Sequence, residues 1–127
     1  MKKFLIVLAI LLTLICIIFT RNYMLRKKII RQVDSFCYCY DGKLTDNNID
    51  KFKSTSLEIR NISSKMAYYD KHQMRQLLGA LEIQSNFISG QKTWTDNFPE
   101  KKEKIEINTR LDAPQFNEKV RSIAAEI

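Results

Sequence analysis

The sequence predicts a mainly α protein, an N-terminal single transmembrane helix followed by a small helical bundle. Two observations carry this. An unbroken apolar run, Phe4 to Thr20, opens the chain with no charge inside it. Behind it, apolar residues recur at steps of three and four in most segments, the period of a helix with one buried face.

The opening run has about 17 residues, at the short end of what crosses a hydrocarbon core. Lys2, Lys3 and Arg21 can snorkel to complete the span, and Tyr23 suits the headgroup layer. A cleaved signal needs small residues where the run ends. Here the end reads Cys16-Ile17-Ile18-Phe19-Thr20-Arg21, and Thr13-Leu14-Ile15 before Cys16 lacks the small residue of a lipoprotein signal. We therefore expect an uncleaved signal-anchor and a single-pass protein of the cell membrane. Its flanks disagree on orientation. Arg21, Arg26, Lys27, Lys28 and Arg31 outnumber the lysines before the run, which favours a cytoplasmic bundle. Met-Lys-Lys before an apolar run is instead how export signals begin. The expectation leans to the cytoplasmic side.

Three regions follow: residues 1–21 as anchor, 22–42 as a juxtamembrane helix, and 43–127 as a helical soluble domain. In the second, Ile29, Val33, Phe36 and Tyr40 share one helical face, and Gly42 is a natural residue to end it. Phe36 to Tyr40 also alternates as a strand would. Next, Thr45 or one of Asp46 to Asn48 caps a helix whose stripe is Phe52, Ile59, Ile62, Met66 and Tyr69. Asp70 and Gln73 have capping-box spacing and start another. Its stripe is Met74, Leu77, Leu78, Leu81 and Ile88, with Gly90 expected just past its end. Residues 91–112 read poorly. Pro99 opens a short helix, or Lys104 to Asn108 form a strand. Asp112 and Pro114 then predict a last helix start, with Phe116, Val120, Ile123, Ala124 and Ile127 on its apolar side. A domain of this size buries a core of marginal stability.

The net charge of +7 suggests nucleic acid until it is located. Residues 1–31 hold seven basic residues and no acid, and the remainder carries fourteen of each sign. A formally neutral bundle has no footprint for a phosphate backbone, so no nucleic-acid partner is expected. Three glycines and two prolines leave little room for phosphate-cradling loops. Serine hydrolase, P-loop, Rossmann and HExxH patterns are absent.

The chemistry-bearing stretch is "SFCYCYDG", residues 35–42. On a helix, Cys37 and Cys39 point about 200° apart and do not reach each other. Two cysteines and one histidine fall short of a structural zinc site, so no metal or cofactor is expected. Packing is the expected role of both thiols, with an intermolecular disulfide, and hence a homodimer, as the alternative in an oxidising compartment. His72 is the only histidine and lies off its helix's apolar face. Trp94 and Phe98, four apart, are the candidate partner contacts, although a lone tryptophan more often completes a core.

These readings lead to a non-enzymatic, membrane-anchored protein that binds a partner protein. An immunity protein inhibiting a bacterial toxin is one version. A thiol-dependent enzyme using Cys37 or Cys39, or a small membrane-active protein, are the alternatives.

Overall fold

A computed structural model describes all residues from Met1 to Ile127. Four helices make up the chain: α1, Lys2–Cys39; α2, Asp46–Ser64; α3, Lys71–Asn97; and α4, Lys102–Ala125. A 3-10 turn, Pro99–Lys101, joins the last two.

α1 is one uninterrupted helix with two environments. Its apolar N-terminal half touches almost nothing and is long and apolar enough to cross a membrane. From Asn22 onward, Leu25, Ile29, Val33, Phe36 and Cys37 turn one face into the core. Residues 22–39 thus continue the apolar helix and share a core with residues 43–127. The strand alternation at residues 36–40 is overridden, and Tyr38 and Cys39 face solvent.

Each helix packs against the next, and α4 closes the ring on α1. Adjacent helices run antiparallel. Asn22, low on α1, meets the α2–α3 turn at Tyr68 (3.0 Å), while Lys92, high on α3, meets Asp46 at the start of α2 (3.5 Å). This is an up-down-up-down bundle joined by short loops. Leu77, Ile59, Ile88, Val120, Ile29 and Leu81 are buried along its axis. At the end away from the apolar run, Phe36, Tyr40, Phe52 and Phe116 form an aromatic cluster with ring centroids 4.8 to 6.3 Å apart. Such pairs each add about 0.5–1.5 kcal/mol beyond burial.

The caps follow the sequence. Thr45 accepts from the Asn48 N–H, and Asp70 accepts from the His72 and Gln73 N–H groups. Several expectations are corrected. α2 ends at Ser64, so Met66 and Tyr69, read as part of its stripe, lie in the turn beyond it. Gly42 does not directly follow the helix; Tyr40, in an extended conformation, caps α1. Gly42 has a φ of 80° and its carbonyl accepts from the Thr109 hydroxyl at 2.6 Å. A Cβ there would strike the Thr109 backbone. Gly90 does not end α3, which runs seven residues further. A glycine is tolerated inside a helix, and no left-handed residue is present here to stop it. Pro114 starts nothing and lies inside α4. It removes one hydrogen bond, to the Arg110 carbonyl, while buried Thr109, Ala113 and Asn117 hold the helix on both sides. This continuous α4 also replaces the alternative strand at residues 104–108. Finally, Leu78 is only half-buried, because the inward line of α3 runs through Leu77 and Leu81.

Candidate functional site

α3 carries two apolar stripes. The inner one, Met74, Leu77, Leu81 and Ile88, is in the core. The second, Ile83, Phe87 and Trp94, advances by four and seven along another side of the same helix, and Phe98, the residue that caps α3, extends it by packing on Trp94. They are 71%, 46%, 46% and 40% exposed. The aromatic ends of this stripe are organised. The Trp94 and Phe98 rings lie 4.5 Å apart at 39°, and Lys101 Nζ sits 5.5 and 5.7 Å from their centroids. Exposed cation–π contacts of this kind are worth about 0.5–1 kcal/mol and hold the rings in place.

Local sequence explains why Trp94 faces out. Thr95 takes the inward position at 2% exposure, its hydroxyl bonding the Lys92 carbonyl at 2.9 Å. A residue one step earlier is rotated about 100° away. The expectation that the lone tryptophan completes the core is therefore corrected: the core closes on the Phe36 cluster without it. Trp94 and Phe98 are brought together as neighbours. Lys92, paired with Asp46 and with Asp96, marks the level where α2 begins; α3 continues beyond it, so the aromatic pair projects at the tip of the α3–α4 hairpin. Along α1, Cys39 stands about 27 Å above Arg21 at the helical rise, which places the tip on the end of the bundle remote from the apolar run. Below it, a groove between α3 and α4 of about 560 Å³ is lined by Ile83, Phe87 and Phe116 with Asp112 and Lys119 on its rim. Sequence reading missed Ile83 and Phe87. Their spacing to Trp94 and Phe98 was the available signal.

The thiols occupy opposite environments. Cys37 is buried, Cys39 is exposed, and neither is bonded to another cysteine. Cys37 Sγ lies 3.6 Å from the Asn117 carbonyl, and Asn117 Nδ2 donates to the Cys37 and Tyr40 carbonyls at 3.2 and 3.4 Å. Asn117 thereby satisfies backbone acceptors left open at the end of α1. Burial pushes the Cys37 thiol up to about 11; Arg121 opposes this and Asp34 adds to it. An activated nucleophile needs the reverse, a thiolate at neutral pH. His72 is exposed in the first turn of α3, with its ring 3.0 Å from the Gln76 amide. No three His, Cys, Asp or Glu side chains lie close enough together to hold a metal ion.

No family model, curated protein or solved structure matches the chain.

Proposed function

We propose that this is a single-pass, membrane-anchored protein without catalytic activity, whose bundle holds a partner protein against the second stripe of α3. The observation that carries the reading is the exposed, ordered row Ile83, Phe87, Trp94 and Phe98. Aromatic residues dominate binding energy at interface centres, and Arg or charged groups at the rim exclude water around them. The burial of Cys37, which pushes its thiol up to about 11, weighs against Cys37 as the nucleophile of the thiol-enzyme alternative. The anchor confines the bundle to the membrane surface, where the local concentration of a membrane-bound partner is high and weak contacts suffice. The five basic residues from Arg21 to Arg31 support a cytoplasmic bundle.

The test is site-specific photocrosslinking of the full-length protein in its native membranes, with a benzophenone residue in place of Phe87, Trp94 or Leu57. Leu57 is 70% exposed on α2 and serves as the control. One discrete protein adduct from positions 87 and 94, absent at 57, is the expected outcome. Adducts that are the same at all three positions would sink the reading. Trp94→Ala should weaken binding of the crosslinked partner by about 2 kcal/mol or more.

A further inference from the structure

We infer that the cleft where α1 leaves the bundle binds one anionic phospholipid, its phosphate held by Arg21, Lys28 and Lys65 and an acyl chain lying along Cys16 and Ile17. These residues line one concavity of about 610 Å³, within the size range of small-molecule sites. Three features select the ligand.

The first is charge. Arg21 and Lys28 lie on α1, and Lys65 is the residue that caps α2. No acid lines the cleft. The four ion pairs of the molecule all lie elsewhere, so none of the three cations lining the cleft has a carboxylate partner. A zwitterionic headgroup has no net charge to offer them; an anionic one does.

The second is depth. The α2–α3 turn is tied to α1 at the end of the apolar run. Asn22 Oδ1 accepts from the Ala67 N–H at 2.8 Å, and the Tyr68 ring packs edge-on against Phe19 with centroids 6.0 Å apart. Lys65 is therefore held at the height of Thr20 to Asn22. That is the headgroup layer if the apolar run spans the membrane, a reading on which this inference rests. Tyr23 and Tyr68, both more than half exposed, sit at the same level, where tyrosine is favoured.

The third is the order of polarity. Arg21, Lys28 and Lys65 line one part of the cleft together with Met24 and Leu25, and the part on the membrane side of Arg21 holds no charge, being lined by Thr13, Cys16, Ile17 and Thr20. A free phosphate would use only the upper part. A phospholipid, charged at one end and apolar at the other, matches both.

The experiment uses the full-length protein in nanodiscs of phosphatidylcholine doped with phosphatidylglycerol, with native mass spectrometry counting retained lipid. Incorporation into discs tests the anchor separately. The unaltered protein should retain one phosphatidylglycerol in preference to phosphatidylcholine. Lys65→Gln and Arg21→Gln should each weaken that retention about fivefold, the equivalent of about 1 kcal/mol for a basic residue at an anionic surface. Lys71→Gln, an exposed cation on the same turn but outside the cleft, is the control for general surface charge. Equal losses from Lys65→Gln and Lys71→Gln would overturn the site in favour of diffuse attraction. So would displacement of the lipid by inorganic phosphate. A Cys16–Cys16 crosslink formed in place of lipid retention would assign the cleft to a second copy of the chain and overturn it as well. Far-ultraviolet circular dichroism melts of each variant confirm that the bundle is intact.

Discussion

Asn22 is 4% exposed and commits its whole side chain to the α2–α3 turn, accepting from the Ala67 and Tyr68 N–H groups and donating to the Tyr68 carbonyl. Asn22→Leu keeps the branched shape with added bulk and strands those backbone groups. It should destabilise the bundle by about 1–3 kcal/mol, the cost of a buried polar group left unpaired, and a denaturant midpoint measures this. An unchanged midpoint would mean that water reaches the turn. Cys37 makes a different prediction. Its folded-state pKa is raised above the ordinary 9.0 toward about 11. The fold therefore favours the neutral thiol. That contribution is complete below 9.0 and is lost as the pH climbs toward 11, because the unfolded chain ionises first. Tyr40, raised by burial from its ordinary 10.0, acts with the same sign. The thermal midpoint should fall across this window, and fall less in Cys37→Ala. At neutral pH, iodoacetamide should modify exposed Cys39 in the folded protein and Cys37 only after unfolding. Mass spectrometry finding both labelled at one rate would contradict the burial of Cys37.

At the scale of the elements, a loop glycine and a helix glycine should respond in opposite directions to the same change. Gly42→Ala forces a side chain into a left-handed residue and onto the Thr109 backbone, and should cost more than about 1 kcal/mol. Gly90→Ala meets nothing within 4 Å inside a helix and should stabilise by about 0.4–1 kcal/mol. Thermal unfolding of the pair distinguishes them. Leu77→Ala should cost about 2–5 kcal/mol, and Leu78→Ala clearly less, since only Leu77 is fully enclosed. These contrasts also mark what the sequence made legible. The helix faces led by Ile29, Phe52, Leu77 and Val120 could be read because burial imposes a period. Thr45 and Asp70 could be read because caps need oxygen side chains. The helix ends beyond Gly90 and around Pro114 could not, because glycine and proline act as stops only where neighbouring turns lack tertiary support, and here buried Thr95, Thr109 and Asn117 supply it. Trp94 and Phe98 could be flagged by type, but whether they pack inside depends on one residue of rotation, decided by Thr95.

At the scale of the molecule, α1 is both the candidate membrane span and part of the core. Deleting residues 1–21 should leave a bundle with a cooperative thermal transition, whereas deleting residues 1–42 should abolish it, because Leu25, Ile29, Val33, Phe36 and Tyr40 leave with the deleted segment. Circular dichroism melts of the two truncations check this; a cooperative melt for the shorter fragment would show the core to be complete without α1. The same continuity has a mechanical consequence. No loop or glycine separates the apolar run from the bundle, so no joint decouples them. The apolar run measures about 26 Å at the helical rise, less than the average hydrocarbon thickness of about 30 Å. If the run crosses a bilayer, its shortfall is made up by local thinning or by snorkelling of Lys2, Lys3 and Arg21, and its tilt is set by packing and interfacial anchors. Each 20° of lean carries the aromatic tip sideways by about 9 Å on its 27 Å mast. Whatever tilts the apolar run therefore also displaces Trp94.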